Sequence, residues 1–405
     1  QITDAGLGVG AINANLRGAD AGDKVTFAIV INNNGTGRNG AFDVQFRDTL
    51  PAGFGIPTDA TALNLKVTTG DGTPVPFTLI GTGLFDGGIR LTDGPGTGAI
   101  APDTDGSANT GTSTSDIIVI TYDLVALETV QPRQTWTNTA TLFAFAARPG
   151  GTDFVTTDLV DTATVTTRDP AITKAVISSS QPFTSGSTLA IGEAVTFRVT
   201  VPLPGGSTNN RRLSDILPAT AASILAPVSA TLVSVGSGIT GPGIPAIGAS
   251  GTLSGQTFTF DLGNVVNAGD NLAGNDSIVF DVVALAIDDP RNARADTATN
   301  TGRIDWVTTL ENLGTVAGSL TATAPVRFAT PDLTLAKSVT PTLADGGDTV
   351  SYRLVIANPA AAFATTAFNI NMVDSDLAAL GFTQVTITGV SSSGAVNAAA
   401  VADAG

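Results

Sequence analysis

The sequence predicts an all-β chain of tandem β-sandwich repeats, and three observations predict it. Glycine and proline are frequent, 46 and 21 among 405 residues, and they break the chain every few positions. Between the breaks, apolar and polar residues alternate in short runs, the period of a half-buried antiparallel strand. An ordered set of phrases then recurs along the chain, the mark of a repeat architecture. No long stripe of helical period interrupts this pattern.

The elements follow in order. Val25-Phe27-Ile29-Ile31, Phe42-Val44-Phe46, Val195-Phe197-Val199-Val201 and Phe368-Ile370-Met372 each place apolar side chains on one face of a strand. Two packed sheets bury such faces against each other. The phrase AGDKVTFAIVINNNGTG at Ala21 returns as IGEAVTFRVTVPLPGGS at Ile191 and as GGDTVSYRLVIANPAAA at Gly346. A second phrase runs through Asp48-Thr49-Leu50-Pro51, then around Asp215 and around Asp374; a third is WTNTATL at Trp136 and ATNTGRI at Ala298. The spacings agree, at 167 positions from Asp48 to Asp215, 159 from Asp215 to Asp374 and 162 from Asn138 to Asn300. Boundaries are expected at Asp169-Pro170 and Thr330-Pro331, giving repeats over 1–168, 169–330 and 331–405. The last repeat lacks its closing phrase, so its completion by further chain or by another subunit is expected.

Composition narrows the chemistry. With no cysteine and no histidine, the chain has no disulfide, thiol nucleophile, His-based zinc site or Ser-His-Asp triad. Nineteen Lys and Arg against 35 Asp and Glu give a net charge of −16, a poor surface for nucleic acid or anionic membrane. Mean hydropathy is +0.27, yet runs such as Val282 to Ile287 are far too short to span a bilayer. The start at Gln1, with no charged and apolar leader, reads as a processed or internal fragment. The absence of cysteine agrees with secretion into oxidising surroundings.

Strand parity adds a chemical feature, because alternate residues share a face. Lys174 lies with Ile172 and Val176, and Lys337 with Leu333, Leu335 and Val339. Asp48 shares its face with Phe42, Val44, Phe46 and Leu50, Asp215 with Leu213 and Leu217, and Asp374 with Phe368, Ile370 and Met372. Asn138 lies with Trp136, Ala140 and Leu142, and Asn300 with Ala298, Ile304 and Trp306. A lysine, an acid and an amide are thus expected to point into apolar core, where each alone is costly and needs a partner. Two readings follow. In one, the acid and lysine form an ion pair and the amide bonds to turns. In the other, desolvation leaves a neutral lysine amine that attacks the asparagine carboxamide while the acid moves the proton, releasing ammonia and leaving an isopeptide cross-link. From Lys174 to Asn300 that bond would close 126 residues of chain.

The G-D-x-V-T-F/Y, D-T-L-P and T-N-T-A phrases resemble a family of bacterial surface repeats, a domain of unknown function, and the chain is similar to isopeptide-forming fimbrial backbone domains. The resemblance covers all three repeats. It implies immunoglobulin-like sandwiches in tandem, export to the bacterial cell surface, and a cross-link at Lys174, Asp215 and Asn300. The first repeat departs from it, having Asp48 and Asn138 but no lysine from Ile2 to Leu16; the third has Lys337 and Asp374 but no asparagine phrase.

Two loops carry hard oxygen donors, Asp103 with Asp105, and Asp270 with Asp276, for which calcium is the fitting ion; neither completes a known loop motif. No other cofactor is indicated. The expected function is a structural subunit of a secreted bacterial surface fibre, pilus-like filament or sheath that self-associates and is not an enzyme. The alternatives are the stalk of a long adhesin whose receptor is unknown, and a carboxylate-based carbohydrate-active enzyme.

Overall fold

The computed structural model describes residues 15–34, 39–58, 62–103, 115–181, 184, 186–312, 314–368, 370–374, 380 and 386. Two compact units make up the chain, Gln1–Ala329 and Thr330–Gly405. Within the first unit lie two separate hydrophobic cores, one drawn from Ala19 to Val165 and one from Leu189 to Phe328.

Around the first core run β1 (Asn15–Ala19), β2 (Lys24–Asn32), β3 (Phe42–Thr49), β4 (Phe54–Gly55), β5 (Lys66–Thr69), β6 (Phe77–Ile80), β7 (Gly88–Leu91), β8 (Ile117–Ala126), β9 (Thr135–Ala146) and β10 (Leu159–Thr167). One sheet has the order β1-β10-β9-β3-β7-β6; the other has β2-β8-β4 with β5 also on β8. Around the second core run β11 (Thr173–Ser179), β12 (Thr188–Ala190), β13 (Ala194–Pro202), β14 (Gly206–Ile216), β15 (Ala226–Val235), β16 (Ile239–Thr240), β17 (Thr252–Ser254), β18 (Thr257–Asn267), β19 (Ser277–Leu285), β20 (Thr297–Thr309) and β21 (Thr315–Ala329). Their sheets have the orders β12-β21-β20-β14-β18-β16, with β17 on β18, and β11-β13-β19-β15. The larger sheets match strand for strand, and in each the outermost strand, β1 or β12, runs parallel to its neighbour. One difference bears on function. Among the described residues, the second sandwich has an additional edge strand, β11 on β13, whereas β2 pairs with β8 alone. The chain then passes from β11 in one sheet to β12 in the other.

Alternation explains the strands. In β13, Val195, Phe197, Val199 and Val201 are buried and the residues between them are half-buried; each fully buried side chain of this size contributes roughly 1.5–3 kcal/mol. The recurring phrase is explained by its turn. Gly22, Gly192 and Gly347 adopt φ of 84°, 86° and 99°, the left-handed region that glycine enters without a Cβ clash. The acid that follows each accepts from a main-chain N–H three residues back: Asp23 from Asp20, Glu193 from Ala190 and Asp348 from Asp345. A bulge recurs too. Asp43 and Asn210 have φ of 53° and 47° and re-aim β3 and β14 at corresponding places; Asp and Asn are the side chains that tolerate this backbone best.

The two sandwiches of the first unit meet in a joint. Ala21 N donates to Gly205 O (3.1 Å), Ser207 N to Val130 O (2.8 Å), and Thr308 Oγ1 to Pro132 O (2.6 Å). Thr309 N donates to Gln131 Oε1 (2.7 Å), and the Arg133 guanidinium lies 5.3 Å from the centre of the Trp306 ring. A Cβ on Gly22 would stand 2.0 Å from Gly269 O, so the backbones touch there.

In the second unit the described strands form one hairpin, β22 (Thr334–Thr340) with β23 (Ser351–Ala357). The expectation that Phe368, Ile370 and Met372 line a buried strand face is corrected: they lie outside any strand, and Phe368 is 80% exposed. Leu333 and Leu335 are exposed as well, because no second sheet among the described residues of this unit covers the hairpin. In the first sandwich Leu50 is exposed, since β3 ends at Thr49 before Pro51 turns the chain. The described residues are nearly all in strands, turns and loops, with two packed sandwiches in the first unit, and the 3₁₀ segment Ala273–Asn275 is the helical element with described bounds. No helix among the described residues is long and apolar enough to cross a membrane.

Candidate functional site

The second sandwich builds its site from both sheets. Lys174 is on β11, opposite Val199 of β13. Asp215 is on β14, directly opposite Gly302 of β20, which places Asn300, two residues earlier on β20, at the diagonal of the same face. A Cβ at Gly302 would lie 3.3 Å from Val199 and 3.6 Å from Ile172, so this face of β20 meets the strands that carry the lysine. Lys174 Nζ donates to Asp215 Oδ2, and both side chains are wholly removed from solvent. Beneath the amine lies Phe197, its ring centre 5.0 Å away.

Burial dominates the electrostatics. It pushes the Lys174 ammonium below its ordinary range and the Asp215 carboxyl above its own, and in each case it outweighs the attraction between the two. Asn300 is 0% exposed and close enough to favour the charged form of Asp215, yet both of its amide atoms and Asp215 Oδ1 close no hydrogen bond. The amide thus lies buried against the acid that holds the lysine amine.

In the first sandwich the acid and amide are again together, and a tyrosine completes them. Tyr122 OH, from β8, lies 2.7 Å from Asp48 Oδ2 and 3.2 Å from Asn138 Oδ1. Asn138 Nδ2 donates to Asp48 Oδ1 (2.7 Å) and to Thr49 O (3.0 Å). Burial, its largest cause, pushes the Asp48 carboxyl up to about 6 and raises the Tyr122 phenol. Sequence reasoning missed Tyr122. The signal was present in the run Asp116-Ile117-Ile118-Val119, which aligns with Asp276-Ser277-Ile278-Val279 and puts Tyr122 where the second repeat has Val282.

In the second unit Lys337 Nζ donates to Asp374 Oδ1 (2.9 Å) and Oδ2 (2.7 Å). These side chains are 40% and 21% exposed, which corrects the expectation that they point into core. An aromatic floor recurs in all three places. Phe197 lies under Lys174, Tyr352 under Lys337 at 4.9 Å, and Phe27 stacks on Tyr122 at 5.6 Å between ring centres. Each comes from the V-T/S-F/Y of the recurring phrase.

The remaining candidates are placed as follows. Asp103 is buried and Asp105 lies outside the described residues. Asp270 accepts from Leu272 N and Asn275 Nδ2 within its own turn, and Asp276 Oδ1 is buried without a partner. Among the described residues no three acidic, His or Cys side chains gather as a metal would need. An open cleft of about 320 Å³ is bordered by Asp43, Arg90, Phe145 and Asp153, but Asp43 is bonded to Arg90 and Gly150 N, and Asp153 to Phe145 N and Val155 N. Trp136 and Trp306 are buried core side chains.

Arg211, also unforeseen, is wholly buried at the β14 bulge with all three guanidinium nitrogens unpaired, and burial lowers it to about 9. The first repeat carries buried Val44 at the corresponding place. Arg211→Met is therefore expected to stabilise the second sandwich by roughly 1–4 kcal/mol, read as a raised denaturant midpoint at unchanged slope.

No known protein family matches the chain, and no curated protein does. Among solved structures it is similar to the C-terminal domain of the Streptococcus agalactiae AgI/II polypeptide BspA, at 12% identity and a TM-score of 0.26, covering 76% of this chain and 95% of that one. It is similar also to BcpA, the major pilin subunit of Bacillus cereus, at 11% identity and 0.27, covering 77% and 71%. A third similarity is to the T6 backbone pilin of serotype M6 Streptococcus pyogenes, at 12% and 0.27, covering 78% and 70%.

Proposed function

We propose that the chain is a load-bearing element of a secreted bacterial surface fibre or stalk, built of repeats over 1–168, 169–330 and 331–405, with an intramolecular cross-link between Lys174 and Asn300. The observation that carries the cross-link is the Asn300 amide, buried and unbonded beside the buried Lys174–Asp215 pair. In the neutral pair the Lys174 amine has a free lone pair and Asp215 holds a proton. Nζ attacks Asn300 Cγ while Asp215 protonates the developing oxyanion. Asp215, now a carboxylate, carries one Nζ proton to the departing nitrogen; as the intermediate collapses the Cγ–Nδ2 bond breaks, ammonia leaves, the hydroxyl proton returns to Asp215 and the Cγ carbonyl re-forms. The step consumes no oxidant and removes the unpaired amide.

Mechanical purpose follows from the topology. The bond would join edge strand β11 of one sheet to β20 of the other, so tension entering near the start of the repeat would bypass the residues between. A chain without cysteine gains in this way the constraint that a disulfide gives elsewhere. The acidic, cysteine-free composition and the family resemblance of the phrases support a place at the cell surface, with self-association into a filament.

Intact mass of the full chain tests the cross-link directly. A mass lower by one ammonia is expected, and the full calculated mass is expected for Lys174→Ala. Full mass in the parent chain removes the chemistry and leaves a buried ion pair.

A further inference from the structure

We propose that Asp48, Tyr122 and Asn138 form a proton-held clasp, a closed ring of three hydrogen bonds that ties the two sheets of the first sandwich together reversibly. Its role in a load-bearing chain rests on the function proposed above, while the ring itself stands on its own geometry.

Counting hydrogens leads to the ring. The three contacts, Asp48 Oδ2 to Tyr122 Oη (2.7 Å), Tyr122 Oη to Asn138 Oδ1 (3.2 Å) and Asn138 Nδ2 to Asp48 Oδ1 (2.7 Å), close on themselves. A phenol has one hydrogen to give. If Asp48 is ionised, that hydrogen goes to the carboxylate and Asn138 Oδ1, buried, loses its donor. If Asp48 Oδ2 carries a proton, it donates to the phenol oxygen, the phenol donates to Asn138 Oδ1, and the amide donates back to Asp48 Oδ1. Each group then gives one bond and accepts one. The second amide hydrogen is already on Thr49 O, so the asparagine is fully used.

The surroundings favour the neutral state. Asp48, Tyr122 and Asn138 are 2%, 0% and 4% exposed, and Phe27 and Phe85 pack on the phenol ring. The groups that face Asp48 are Tyr122 from β8, Asn138 from β9 and the main-chain N–H of Thr49, all uncharged; their hydrogen bonds favour the ionised form, and burial outweighs them. The nearest charges along these strands are engaged elsewhere: Arg47 with Asp158, and Asp123 with Thr26 and Asn64. The upward displacement of the Asp48 carboxyl agrees with this arrangement.

Asp48 and Asn138 hold the places of Asp215 and Asn300, since β3 corresponds to β14 and β9 to β20, while Tyr122 comes from β8, the counterpart of β19, where the second sandwich has Val282 and draws its lysine from β11 instead. No bond in it is covalent, so it releases under load or on loss of one proton and closes again. The first sandwich is then the yielding element of the unit and the second the locked one.

Carboxyl carbon resonances of the full chain, isotopically labelled at aspartate, test the proton directly. One signal is expected to titrate with a midpoint near 6 and to vanish in Asp48→Asn. In a Trp306→Phe background Trp136 alone reports unfolding of the first sandwich, and its transition is expected to weaken as pH rises from about 4 through about 6, a slope that Asp48→Asn abolishes. A midpoint in the ordinary carboxylate range, or a slope that survives Asp48→Asn, overturns the clasp. Intact mass of the same sample scores Lys174 separately, so the clasp and the cross-link fail or stand independently.

Discussion

Replacing Lys174 by alanine is expected to destabilise the second sandwich by on the order of 3–5 kcal/mol through the stranded Asp215 alone. Asp215 and Lys174 are both wholly buried, so truncation leaves the carboxyl in the core without its partner. If the cross-link forms, the variant also loses a constraint on 126 residues of chain, which by analogy with disulfides contributes about 4–5 kcal/mol more. Denaturant unfolding followed at Trp306 measures the sum. The paired replacement Lys174→Met with Asp215→Leu separates the two contributions. For a plain ion pair it is expected to be neutral or stabilising by about 1–4 kcal/mol, whereas for a cross-linked parent it stays less stable and gains the mass of one ammonia.

At about pH 8, Asp48→Asn is expected to stabilise the first sandwich by about 3 kcal/mol, an effect absent near pH 4. The sign follows from linkage. Asp48 rises from 3.8 to about 6 on folding, so between these values the folded state holds a proton that the unfolded chain releases. Its contribution is full below about pH 4 and is lost as pH rises through about 6; the displacement, at 1.36 kcal/mol per unit, sets the magnitude. Asparagine at 48 keeps a donor for the phenol and an acceptor for Asn138, and it does not titrate. Paired urea titrations of the two proteins across this range measure the difference.

Much of this was legible in the sequence because parity is a strict rule. Asp215 with Leu213 and Leu217, and Asn300 with Ala298, Ile304 and Trp306, are buried together as the alternation requires. Tyr122 escaped because its strand reads as continuous apolar core, with its hydroxyl hidden among Ile118, Ile120 and Leu124. Arg211 escaped because the bulge at Asn210 shifts the alternation by one, a change that depends on backbone dihedrals rather than on residue type. Lys337 and Asp374 show the opposite limit: their alternation is as regular as that of Lys174, but burial also needs a facing sheet, and no single strand can encode its own cover.

The joint of the first unit has its own logic. Its acceptors are largely main-chain carbonyls, those of Gly205, Val130, Pro132 and Glu128 among them. A main-chain acceptor is set by the course of the backbone, so these bonds do not depend on the side chain carried at the acceptor position, although Thr308, Gln131, Ser207 and the Arg133–Trp306 pair contribute through their side chains. Side chains at the main-chain acceptor positions can therefore change without removing these bonds. Sensitivity lies also at positions where an added atom has nowhere to go, such as Gly22 against Gly269 O and Gly206, whose Cβ would stand 2.4 Å from Val130 O.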